Sequence, residues 1–84
     1  MRVGQIVVVH LRPDAQTPYD CYLSGPVVEI RRGGLFVVEP TDFKPMPEGW
    51  RPYDGVRRVL ARKLDTETGL AQLTWVGNEL NGGN

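Results

Sequence analysis

The run Gln5-Ile6-Val7-Val8-Val9-His10-Leu11, closed by Arg12-Pro13-Asp14, constrains this chain more than any other stretch. β-Branched side chains suit a pleated strand better than a helix, and a proline beside an aspartate ends the run. Apolar residues fill both alternating sets, Val7, Val9 and Leu11 on one side and Ile6 and Val8 on the other. Both faces of this strand are therefore expected to be covered, the second by residues 40–55 or by another copy of the chain. A further segment, Pro26 to Arg31, alternates apolar with charged, passes Gly33-Gly34 and returns as Leu35-Phe36-Val37-Val38-Glu39. That is a β-hairpin pattern.

Turn chemistry suggests a register. If Arg32-Gly33-Gly34 is a three-residue loop with a glycine in the left-handed region, Ile30 lies opposite Phe36 and Val28 opposite Val38. The other face then holds Glu29, Arg31, Leu35, Val37 and Glu39. Tyr19 to Leu23 alternates as well and reads as its own short strand before a Gly25-Pro26 kink.

Residues 40–55 form the longest irregular stretch. Four prolines deny it a regular ladder, yet Phe43, Met46, Trp50 and Tyr53 are too apolar for a free linker. Such a loop is pinned by its side chains or binds something. Residues 56–76 admit two readings. Val56, Val59, Leu60 and Leu64 match helical spacing, whereas Leu64 to Leu70 resembles a hairpin turn and Ala71, Leu73 and Trp75 alternate with polar neighbours. Two strands are favoured over a short helix and one strand. Residues 1–77 read as one domain and 78–84 as a flexible tail.

Eighty-four residues with ten glycines and seven prolines favour many turns and short strands over long helices. The expected fold is mostly β, an SH3-like small barrel or a strongly bent antiparallel sheet, with at most one short helix. One cysteine, Cys21, excludes a disulfide framework within the chain. No run approaches membrane-spanning length, so a cytoplasmic protein without a membrane contact is expected. No metal or other cofactor is expected.

Formal charge is zero, but its distribution is uneven. Residues 1–30 carry two basic and three acidic groups, and residues 31–63 carry eight and four. The middle segment is therefore the electropositive one. His10, the only histidine, has no paired nucleophile or carboxylate nearby in sequence and reads as structural. Cys21 has no adjacent cation to activate it and reads as a core thiol. Asp14, Asp20, Asp42 and Asp54 sit beside Pro, Gly or aromatic residues, where turn and capping roles suffice.

The candidate binding residues are Phe43, Trp50, Arg51, Tyr53, Arg57, Arg58, Arg62 and Lys63. The aromatic, proline-rich loop from Phe43 to Tyr53 suits a protein contact, including self-association, because Trp, Tyr, Met and Arg are enriched in interface cores. Arg51, Arg57, Arg58, Arg62 and Lys63 beside Trp50 and Tyr53 suit phosphate contacts with stacking, as single-stranded nucleic acid requires. A non-enzymatic protein-binding module is favoured, with RNA or DNA binding the alternative.

The strand Val3-Gly4-Gln5-Ile6-Val7-Val8-Val9, with Ser24-Gly25-Pro26-Val27-Val28-Glu29-Ile30 and Phe36-Val37-Val38-Glu39, resembles the opening of SH3-like small barrels, KOW-type modules included. That resemblance covers about half the chain and implies a bent five-stranded sheet that binds RNA, DNA or protein. The stretch from Gly4 to Pro13 with Gly25-Pro26-Val27-Val28 also resembles the start of MazF/PemK-type endoribonuclease toxins, which makes toxin-like RNA cleavage the second alternative. In that family an Arg-Pro-Val-Val strand carries the catalytic arginine. Here its position falls on Gly25, and no counterpart to the family's Thr/Ser segment is present.

Overall fold

A computed structural model of the chain describes residues 1–48, 58–68 and 71–79. It contains β1 (Ile6–Leu11), β2 (Cys21–Arg31), β3 (Leu35–Val38), β4 (Asp42–Lys44), β5 (Val59–Thr68) and β6 (Ala71–Asn78). β1 pairs antiparallel with the first half of β2, whose second half pairs with β3. β3 pairs with β5 and β5 with β6, both antiparallel, and β6 returns parallel to β1 through Val9 and His10. Five strands thus close into a small barrel, and β4 adds to β2 along Tyr22–Ser24. Among the described residues there is no helix.

Alternation along the strands builds the core. Val7, Val9 and Leu11 of β1 point inward with Cys21, Leu23 and Val27 of β2, Phe36 and Val38 of β3, Val59 and Ala61 of β5, and Leu73 of β6. Each fully buried aliphatic side chain contributes roughly 1.5–3 kcal/mol, so the inward set is the main stabilising feature. Phe43 and Trp75 pack against its margin.

Tyr19 to Leu23 is not a separate strand. β2 runs through Gly25-Pro26 without a break. A side chain at Gly25 would meet the Glu39 carbonyl oxygen at 1.9 Å, because the corner between β3 and β4 lies directly on β2 there. Glu39 N donates to Pro26 O and Thr41 N to Ser24 O, at 3.1 and 2.8 Å. Glycine supplies the close approach, and the strand continues.

The Gly33-Gly34 loop spans three residues as expected, with both glycines at positive φ (81° and 75°) and Ile30 opposite Phe36. Val28 does not face Val38, however. The register shifts at Val28, so Val27 pairs with Val38 and Glu29 with Val37. An extra residue bends the strand, which closure into a barrel requires. Ile30 keeps its expected partner Phe36 but is exposed at the end of the strand pair instead of joining the core. Val37, on the outward face, is fully buried.

Two strands, not a helix, follow the proline-rich segment. β5 continues to Thr68, which pairs with Ala71, so the strand runs into the segment Leu64–Leu70 expected to turn, and the chain reverses within it. β6 reaches Asn78, and Glu79 N donates to Arg58 O at 3.0 Å. Within the stretch expected to be irregular, Asp42-Phe43-Lys44 forms the short β4. Pro40 and Pro45 bracket four consecutive N–H groups, Thr41 to Lys44, which is enough for a short ladder.

Candidate functional site

Because β1, β2 and β4 lie side by side, their outward side chains line up in rows across the strands. Val8 lies opposite Ser24 and Ser24 opposite Asp42; His10 lies opposite Tyr22 and Tyr22 opposite Lys44. Val8, Tyr22, Leu23, Ser24, Asp42, Phe43 and Lys44 line an open groove of about 290 Å³. Val8, Tyr22, Ser24 and Phe43 are half-buried, whereas Asp42 and Lys44 are exposed. Neither Asp42 nor Lys44 forms an ion pair among the described residues. Opposite charges therefore stand uncommitted at one edge of a partly apolar floor. The cover expected for the second face of β1 is incomplete: Val8 is half-buried on the wall of this groove, and Ile6 stays 63% exposed.

The wall at Tyr22 is built in layers. The His10 ring stacks on Tyr22 with centroids 5.0 Å apart and planes 24° from parallel. His10 Nε2 lies 2.7 Å from Asp20 Oδ1. An ionised carboxylate can only accept, so Nε2 carries the proton and donates. His10 does have a carboxylate partner, ten residues along, because the connection between β1 and β2 folds back along the strand. Asp14, by contrast, has the turn role expected of it, accepting from the N–H groups of Gln16 and Thr17 at 2.9 and 2.7 Å. Thr17 Oγ1 in turn accepts from Glu48 N at 3.0 Å. Cys21 is buried in the core, and its thiol is pushed up by burial first and by the Asp20 and Asp14 carboxylates second. A thiol held neutral in this way is a poor nucleophile.

Of the residues named from sequence, Trp50, Arg51, Tyr53 and Arg57 lie outside the described residues. Phe43 sits on β4 opposite Leu23, packs against the core and lines the groove. Arg58 precedes β5. Arg62 lies in a row with Leu35 and Thr74, and Lys63 lies opposite Leu73. β3 and β2 stand between β5 and β4, so the fold does not bring the basic residues of β5 to Phe43. On the basic side Arg31 is already engaged: Nε donates to Glu29 Oε2 and Nη2 to Glu79 Oε1, the latter at 2.8 Å. The hydrogen bond from Arg31, more than its charge, holds the Glu29 carboxyl below the usual carboxylate range.

Sequence reasoning overlooked Val8, Tyr22, Ser24, Asp42 and Lys44 as one site. Strand alternation around Tyr22 and Ser24 was the available signal; the three-residue β4 carried almost none. Among the described residues no three metal-ligating side chains come together, and no helix is long and apolar enough to cross a membrane. Comparison with known proteins returns no matching family, curated protein or solved structure.

Proposed function

We propose that this chain is a non-enzymatic binding module whose groove across β1, β2 and β4 takes a segment of a protein partner. The observation that carries it is the pairing of uncommitted Asp42 and Lys44 with the apolar surface of Val8, Tyr22 and Phe43. A few placed polar groups on a mostly apolar wall are what a recognition site needs. A kinship with SH3-like or KOW-type barrels, suggested by the opening half of the chain, belongs to the same proposal, as does a cytoplasmic location. A second copy of the chain is one such partner, and the exposed Ile6 favours it.

Nucleic-acid binding is the second reading, supported by Arg62 and Lys63, which are exposed and unpaired among the described residues. Against it, Glu29 and Glu79 neutralise Arg31, and phosphates on the groove would meet Asp42. Toxin-like RNA cleavage has weaker support, since a catalytic arginine at the position of Gly25 has no room beside Glu39.

The test is parallel selection from libraries of random decapeptides and random single-stranded oligonucleotides, with wild type, Tyr22→Ala and Arg62→Gln/Lys63→Gln. Peptides are expected to be enriched by wild type and by the double variant but not by Tyr22→Ala, with a salt dependence no steeper than two exposed ion pairs give, because the aromatic burial is unscreened. Enriched oligonucleotides, with affinity falling steeply in salt and lost in the double variant, would put the nucleic-acid reading in its place.

A further inference from the structure

Building on the protein-binding reading, we infer that the groove's occupant is an extended peptide presenting one basic and one acidic side chain two residues apart. Asp42 and Lys44 are two residues apart on a strand and share its outward face. At about 3.3 Å per residue their backbone positions are separated by roughly 7 Å. An extended peptide repeats its own side chains on one face at the same interval. Its basic group then lies over the Asp42 carboxylate and its acidic group over the Lys44 ammonium.

The floor beneath these charges is mixed in the way such a segment requires. Val8 and Tyr22 take aliphatic stems, and the Ser24 hydroxyl offers both a donor and an acceptor. Tyr22 is a prepared wall. His10 backs one side of its ring, Asp20 fixes His10, and the His10 side chain is only 15% exposed. Little side-chain freedom is left to lose when a ligand docks there.

Charge decides between occupants. A nucleic-acid strand or an anionic lipid surface carries one sign, so it gains Lys44 and meets Asp42. A uniformly basic peptide gains Asp42 and meets Lys44. Only a segment with both signs satisfies both groups, and the repulsive member of the pair excludes the rest. The order of the two signs along the peptide is set by its direction over β4.

An array of immobilised decapeptides with identical flanks tests this, with central Arg-x-Glu, Glu-x-Arg, Arg-x-Arg, Glu-x-Glu and Gln-x-Gln cores. The folded full chain is the probe, with a labelled single-stranded oligonucleotide as a parallel target. Wild type is expected to retain one mixed-sign order about fivefold better than the like-sign and neutral cores, as two exposed ion pairs allow. In Asp42→Lys/Lys44→Asp the preferred order should invert, because both substitutions fall on exposed positions of an intact strand. Tyr22→Ala should lose every core. Equal retention of the neutral core, or a preferred order unchanged by the swap, would overturn the charge rule while the groove keeps its role. Binding unaffected by Tyr22→Ala, or retention of the oligonucleotide alone, would overturn the protein-binding reading and this inference with it.

Discussion

A methyl group built on Gly25 would sit 1.9 Å from the Glu39 carbonyl oxygen and 2.9 Å from its carbon. Those atoms are backbone, fixed by the hydrogen bonds from Glu39 and Thr41 to β2, so they cannot step aside as a flexible side chain would. Gly77 is the natural control, because a Cβ there meets nothing within 4 Å. Gly25→Ala is expected to cost about 3 kcal/mol or more, through displacement of the corner that leads into β4. Gly77→Ala should stay within about 1 kcal/mol of wild type and on the stabilising side. Urea unfolding of the two variants checks this, and equal midpoints would contradict the close packing of that corner on β2. Sequence alone marked Gly25 as a kink; the crossing chain that makes it necessary is distant in sequence and could not be read.

At the scale of elements, Arg31 ties the end of β2 to Glu79, just beyond β6, and to Glu29 on its own strand. Since Glu29 is held below the usual carboxylate range in the folded chain, its contribution is present above that range and lost as pH falls through the lowered value. Arg31→Ala should therefore lower the urea midpoint at neutral pH and flatten its acid-side decline. An acid profile parallel to that of wild type would count against the link. The hairpin of β2 and β3 was readable because Gly33 and Gly34 supply the positive φ of its loop. The bulge was not, because Val28 is as good a strand former as Val27 and only barrel closure selects which of them is extra. β4 was hidden for a different reason. Prolines on either side argued against any ladder, although they leave room for one three residues long.

Across the whole molecule, closure of five strands gives the inward faces to the core and leaves the proposed binding groove on the outer wall. The mostly-β barrel followed from alternation and turn residues that are local in sequence. The groove draws on β1, β2 and β4 together, and the carboxylate that fixes His10 comes from the connection between the first two, so neither existed as a sequence motif. Zero formal charge also fits a partner recognised by paired opposite charges better than one gathered by a long-range field. The most direct measurement is a map of backbone amide NMR shifts as the tightest peptide from the display selection is titrated into the protein. The shifts should centre on Val8, Tyr22, Ser24, Asp42 and Lys44 and leave Arg58, Arg62 and Lys63 unmoved. Shifts centred on Arg58, Arg62 and Lys63, with the groove silent, would contradict the assignment of binding to this face.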